Sequence, residues 1–305
     1  MNDRDFLSMG DIDADELSIL LERAAACKAA PGDVASRLEG RHVALIFEKP
    51  STRTRVSFEV ACTALGAHAI VLRGDELQLG RGETIEDTGR VLARYVDAIV
   101  VRTFGQERLE RLAEASSVPV VNALSDLEHP CQCLADLQTI VEKKGSLAGT
   151  TLTYVGDGNN VAHSLMLGGA LAGMHVRIAC PEGYEPFPSL TEHAQDIAGR
   201  HGGSVTVVRD PGDAARGADV LYTDVWASMG QEEESTARAT IFEPYRLDAA
   251  LVRAAGPDVL VMHCLPAHRG EEIAADVIDG PHSVVWDQAE NRLHAQKALL
   301  LHLLT

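Results

Sequence analysis

Short runs of consecutive apolar residues alternate along the chain with longer stretches in which apolar positions recur every three or four residues. Runs at 42–47, 68–72, 97–101 and 119–122 read as buried strands. A second series follows at 151–155, 175–180, 204–208, 219–222, 259–262 and 283–286. Amphipathic stretches at 54–65, 84–94, 106–115, 161–173 and 189–200 read as helices between them. Continuous apolar strands joined by helices indicate parallel sheets covered on both faces. The predicted fold class is α/β, with two doubly wound parallel-sheet domains and the active site in the cleft between them. Residues 1–145 are expected to form the first domain, with a bridging helix at about 134–144 closed by Gly145. Residues 146–305 form the second, and a last helix at about 288–304 is long enough to pack back on the first.

Composition narrows the function. Of 305 residues, 46% are hydrophobic and 24% charged, the mix of an ordinary globular chain and not of a disordered one. No apolar run reaches the roughly 18 residues of a membrane span, and Met1-Asn2-Asp3-Arg4-Asp5 does not read as a signal peptide, so a cytoplasmic location is expected. The formal charge is −18, and five of the 27 basic residues are lysine. Such a chain repels nucleic acids and anionic membranes, so neither is expected as a partner. An anionic substrate would need a local arginine cluster to overcome the global field. The six cysteines (27, 62, 131, 133, 180 and 264) show no paired CxxC spacing, and a cytosolic chain is not expected to form disulfides.

The chemistry-bearing residues follow the predicted strands. The strand ending at Phe47 runs into Glu48-Lys49-Pro50-Ser51-Thr52-Arg53-Thr54-Arg55 and then a helix. Three hydroxyls and two guanidiniums within five positions exceed what a plain helix cap requires. They fit an oxyanion site at the positive end of a helix dipole. Downstream, Gly156-Asp157-Gly158-Asn159-Asn160 follows the strand 151–155. Alone it is a weak dinucleotide fingerprint, with Glu182 placed for a ribose but Val161 where a third glycine belongs.

Four motifs in order carry a more specific likeness. Ser51-Thr52-Arg53-Thr54-Arg55 with Val56-Ser57-Phe58-Glu59 resembles the phosphate-binding motif of the aspartate and ornithine carbamoyltransferase family. His129-Pro130-Cys131-Gln132, Asp224-Val225-Trp226-Ala227-Ser228-Met229-Gly230 and His263-Cys264-Leu265-Pro266 follow. The last two resemble the ornithine branch. The resemblance implies two substrates, carbamoyl phosphate and L-ornithine, with no cofactor and no metal.

It also implies roles. Ser51, Thr52, Arg53, Thr54 and Arg292 would grip the phosphate, with Arg55 as a brace for the loop. Arg102 and His129 would reach the carbonyl oxygen, and Pro130, Cys131 and Gln132 would complete the carbamoyl shell. Cys264 would line the pocket near the reacting amine, with Leu265 offering its carbonyl; Arg102, His129 and Cys264 are the catalytic candidates. On the acceptor side Asn160 would bind one end of ornithine and Asp224 its α-ammonium, while Ser228 and Met229 close over it. A homo-oligomer is implied, a trimer or an assembly of trimers, in which Gln78 of one chain reaches the neighbour's carbamoyl phosphate. A diamine acceptor, a nucleotide-dependent dehydrogenase built on the Gly156 loop and a silent binding homologue are the competing readings.

Overall fold

In a computed structural model, residues 5–74, 77, 82–227 and 235–305 are described. The chain divides into two compact units, Met1–Gln138 with Asn291–Thr305, and Thr139–Glu290. The first holds strands β1 (His42–Phe47), β2 (His68–Arg73), β3 (Ala98–Arg102) and β4 (Val120–Leu124), all paired in parallel in the order β2-β1-β3-β4. Its helices are α1 (Ala14–Ala29), α2 (Thr52–Ala64), α3 (Ile85–Leu92) and α4 (Gln106–Ala115). The next helix, α5 (Pro130–Lys144), carries the chain from the first unit into the second.

The second unit holds β5 (Thr151–Val155), β6 (His175–Ala179), β7 (Ser204–Val208), β8 (Val220–Thr223) and β9 (Leu260–His263), parallel in the order β7-β6-β5-β8-β9. Around it lie α6 (Asn160–Leu171), α7 (Pro188–His201), α8 (Pro211–Ala215), α9 (Ser235–Phe242), α10 (Ala249–Ala255) and α11 (Ala275–Ile278). The last helix, α12 (Val285–Leu304), starts in this unit, and from Asn291 onward it belongs to the first.

Each unit has its own core. Ala44, Ile46, Ile99, Val101, Leu109, Leu112 and Val120 pack together in the first, and Val155, Leu221, Trp226, Phe242, Val261 and Ile273 in the second. In each sheet the first strand in sequence sits inside, and the strand order reverses beside it. That reversal leaves a crevice at the carboxyl ends of β1 and β3 in the first unit, and of β5 and β8 in the second.

Three boundaries differ from those read in the sequence. The expected strand at 283–286 is a single bridge from Ser283 to Val261, because Val285 already opens α12 and buries its side chain from the helix. The bridging helix begins at Pro130, four residues early, since proline is favoured in the first helical turn, where its missing N–H costs nothing. The first unit ends within that helix, not after it.

Helix α6 lies so close to β6 that a β-carbon on Gly169 would stand 2.5 Å from Val176 Cγ2. Val176 is fully buried and β-branched, and so has little freedom to turn away. In an open helix Gly→Ala stabilises by about 1 kcal/mol. Here Gly169→Ala is expected to destabilise by about 1–3 kcal/mol, read from the urea unfolding midpoint. A stabilised variant would contradict the packing.

Candidate active site

The phosphate-side residues gather at the crevice of the first sheet. Ser51 caps α2, its hydroxyl accepting from Thr54 N at 3.3 Å, so Thr52 and Arg53 occupy the first turn, where free amides and the dipole favour an anion. Arg102 ends β3, where the pairing to β4 slips: Val101 faces Asn122 but Arg102 faces Leu124. Such a bulge re-aims the side chain at the strand end.

Residues that the motifs did not single out for a role knit these strand ends together. Glu48 N donates to Arg102 O at 2.9 Å, and the Glu48 carboxylate accepts from Thr103 Oγ1 and, at 2.6 Å, from Arg108. Lys49 is buried, pairs with Asp126 and lies 4.3 Å from the centre of the Phe104 ring. The signal for these contacts was faint: a lysine and a glutamate between an apolar strand and the Ser51 motif.

Arg292, from α12, closes the arrangement. It is buried and donates from Nη1 to Gln132 Oε1 at 2.6 Å and from Nη2 to Thr54 Oγ1 at 3.2 Å. Gln132 Nε2 in turn donates to the buried Asp136 Oδ1 at 2.8 Å. His129 is buried just before Pro130, and its carbonyl accepts from Gln132 N at 3.0 Å. Burial first, then the charges of Arg292, Arg102 and Arg53, hold its imidazole well below the ordinary 6.5. The ring is therefore neutral at pH 7, beside three guanidiniums.

Most of the expected phosphate-side set is thus brought together: Ser51, Thr52, Arg53, Thr54, Arg102, His129, Pro130, Gln132 and Arg292. Cys131 differs. Its buried thiol donates to Asn122 O at 3.3 Å and is pushed up to about 12 by burial, which leaves its backbone as the part able to meet a substrate. Arg55 pairs with Glu59 at 2.7 Å one turn along α2, and so braces its own helix. Gln78 lies outside the described residues.

The acceptor-side residues meet at the crevice of the second sheet. Asp224 follows β8 and is buried. Its Oδ1 accepts from Cys264 Sγ at 2.9 Å and from Val225 N at 2.8 Å, while Oδ2 accepts from Asn159 Nδ2 at 2.9 Å. Asn159 caps α6, its Oδ1 accepting from Val161 N at 3.0 Å and Ala162 N at 3.3 Å, and so fixes Asn160 as the first helical residue. The role of Asn159 was missed, although an asparagine just ahead of a helical pattern is the usual cap signal. Also missed was buried Arg238, which pairs with Asp157, donates to Trp226 O at 2.5 Å, and lies against the Tyr184 and Phe242 rings. Ser228 and Met229 lie outside the described residues.

Cys264 and Leu265 belong to this second group. Leu265 has a left-handed backbone (φ +59°), a conformation that L-residues seldom adopt away from functional sites, and its N–H donates to His263 Nδ1 at 2.9 Å. His263 Nε2 faces Glu272 Oε1 at 3.2 Å. Asp224, His263 and Cys264 bring donor atoms within 4.8 Å of one another, which their spacing in sequence did not reveal. Both nitrogens of His263 are already engaged, so that trio offers a metal only two ready ligands. The Gly158 position has a local cause too. A β-carbon there would stand 2.3 Å from Pro186 N, so this glycine is needed by the chain's own close approach, with no nucleotide required to explain it.

Arginines beside a neutral histidine in the first unit, and a buried carboxylate beside a thiol in the second, are the groups expected of a transferase acting on an anionic donor. The matches to known proteins agree. Residues 4–142 match the model of the aspartate/ornithine carbamoyltransferase carbamoyl-P binding domain, and residues 148–303 that of the Asp/Orn binding domain. The chain belongs to the aspartate/ornithine carbamoyltransferase family. It is 62% identical to an ornithine carbamoyltransferase of Parafrankia sp., over all of this chain and 97% of that protein. The solved ornithine carbamoyltransferase of Pyrococcus furiosus superposes with a TM-score of 0.96 at 54% identity, covering 99% of this chain and 97% of that one. An anabolic ornithine carbamoyltransferase of Campylobacter jejuni gives 0.93 at 37%, covering 99% of each chain.

The neutral state of His129 has a consequence for stability. The unfolded chain protonates this histidine near pH 6.5, whereas the folded chain resists protonation to lower pH. The site therefore costs nothing above that value, and stability falls as pH drops from it toward the folded pKa, by up to about 1.4 kcal/mol per pH unit. His129→Gln should reduce the stability lost between about pH 7.5 and about pH 5.5, measured by urea unfolding. Equal losses in the two proteins would mean that the ring titrates normally.

Proposed function

We infer that this chain is an ornithine carbamoyltransferase, moving the carbamoyl group of carbamoyl phosphate to the δ-amine of L-ornithine to give L-citrulline and phosphate. The observation that carries the reading is the convergence of Arg53, Arg102 and Arg292 on neutral His129, beside the capped α2. In the reaction the amine nitrogen attacks the carbamoyl carbon, the bond from that carbon to the phosphate oxygen breaks, phosphate leaves with the electron pair, and the proton released from the nitrogen passes to the departing phosphate. Negative charge builds on the carbonyl oxygen and on the leaving group. Ser51, Thr52, Arg53, Thr54 and Arg292 bind the phosphate, as the dipole and guanidinium geometry favour. Arg102 and His129 donate to the carbonyl oxygen, and a neutral imidazole does so without giving up its proton. Pro130, the Cys131 backbone and Gln132 bound the carbamoyl group.

On the acceptor side Asp224 receives the α-ammonium, with Asn160 at one end of the amino acid and Ser228 and Met229 over it. Asp224 already has three donors that fix its orientation, and a carboxylate has room for one more. Cys264 lines the pocket as a thiol donating to that carboxylate, with Leu265 beside it, and no covalent step on sulfur is required because carbamoyl phosphate is already activated. The reaction runs toward arginine synthesis, the sense in which the Campylobacter relative is named anabolic.

The protein works in the cytoplasm, a setting consistent with six cysteines outside any disulfide, and as a homo-oligomer, a trimer or an assembly of trimers. An open depression of about 960 Å³ beside Ser51 supports the assembly, lined in part by Val56, Val71 and Phe104. Val56 is 54% exposed and Phe104 49%, large apolar surface suited to a neighbouring copy. Gln78 of that neighbour completes the phosphate shell. Among the described residues no helix is long and apolar enough to cross a membrane.

A citrulline assay with carbamoyl phosphate against ornithine, putrescine and lysine tests the activity directly, and ornithine alone should be turned over efficiently. Asp224→Asn should raise KM for ornithine by at least about 100-fold while moving that for carbamoyl phosphate little, since it removes a charge-assisted contact to the ammonium only. Equal weakening of both substrates would assign Asp224 to the fold.

A further inference from the structure

The loop after β9 carries a second constellation, joined to the Cys264 and Leu265 turn through His263. His268 Nδ1 lies 3.8 Å from Glu271 Oε2 and 3.7 Å from Glu272 Oε2, and the three donor atoms all fall within 4.8 Å of one another. These separations are too long for hydrogen bonds. They approach the roughly 3.4 Å between two ligands of one tetrahedral ion with bonds of about 2.1 Å.

Exposure is graded across the trio: the His268 side chain is 53% exposed, Glu271 62% and Glu272 0%. Glu272 is held from behind, since its Oε1 accepts from His268 N at 2.5 Å and faces His263 Nε2 at 3.2 Å. Its other oxygen, Oε2, is buried and has no hydrogen-bond partner among the described residues. An unmatched buried carboxylate oxygen is costly. This one is aimed at the two donors that reach solvent.

We propose that His268, Glu271 and Glu272 form a binding site for a divalent transition-metal ion of the zinc class. One imidazole and two carboxylates suit zinc, cobalt or nickel, whereas magnesium and calcium prefer oxygen ligands alone. Three protein ligands leave a fourth position for water. The Glu272 carboxylate, oriented by His263, is the fixed ligand, and His268 and Glu271 close on the ion from the solvent side. The site does not depend on the transferase reading, because none of its three ligands is assigned to a substrate.

The test is zinc titrated calorimetrically into the full chain carrying Cys264→Ser, which removes the thiol as a competing ligand. The comparison is the same chain with His268→Ala and Glu271→Gln added, two half-exposed positions whose loss leaves the core intact. Both proteins are melted in a chelator to establish that they fold alike. If the double change unfolds the loop, His268→Asn alone serves in its place. Zinc should bind the first protein and raise its Tm, and the added substitutions should weaken binding at least about 100-fold and abolish the rise. In zinc-soaked crystals of the first protein, an anomalous peak should lie among the three side chains. No zinc binding to the Cys264→Ser chain, equal affinity in the two proteins, or a peak elsewhere would overturn the proposal.

Discussion

The guanidinium of Arg292 is the contact on which the first unit's site depends. It reaches Gln132 across 160 residues of chain and Thr54 across 238, and so ties the C-terminal helix to the starts of α5 and α2. Neighbouring contacts hold the same helix: Lys28 Nζ donates to Asn291 Oδ1 at 2.8 Å, and the apolar side of α12 is buried through Ala295, Ala298 and Leu299. Hydrophobic burial fixes where the helix lies, and the two charge-assisted bonds fix the orientation of Thr54 Oγ1 and Gln132 Oε1. A buried guanidinium is tolerated only when its donors are matched. Two of the oxygens it meets, Gln132 Oε1 and Thr54 Oγ1, are neutral.

That choice of partners sets the electrostatics. The chain as a whole carries −18, yet three arginines act on one buried histidine. The global field opposes an anionic substrate and the local one favours it, and at contact distance the local one prevails because water no longer screens it. His129 then stays neutral first because it is buried and then because of those arginines. The second unit works by the opposite means. Asp224 keeps its carboxylate among donors of modest strength, a thiol, an amide and a backbone N–H, with capacity left for an ammonium.

How much of this was legible in sequence depends on how local the cause was. Strand positions such as 42–47 and 151–155 stood out because parallel strands are apolar on both faces. Ser51 was readable as a cap, and Arg102 as the end of an apolar run. The stretch 283–286 misled, because Val284, Val285 and Trp286 are as apolar as a strand and only the tertiary position of Val285 shows that a helix has begun. The inward face of Cys131 was equally hidden, since the acceptor of its thiol, Asn122 O, is nine residues back and on a strand. The Arg238–Asp157 pair spans 81 residues and the His263–Glu272 pair joins two buried groups, contacts that no short motif encodes. Family motifs supplied expectations that spacing alone could not, the proposed role of Arg292 among them.

The most direct test of the account is the affinity of inorganic phosphate for Arg292→Met, measured by calorimetry against the parent protein without ornithine. Methionine keeps much of the buried stem and removes the two charge-assisted bonds and the cation. With the fold intact by near-UV circular dichroism, phosphate binding should weaken by about 10- to 100-fold, the worth of a hydrogen bond to a charged group. Parent-like phosphate affinity in the folded variant would contradict the claim that Arg292 holds the site.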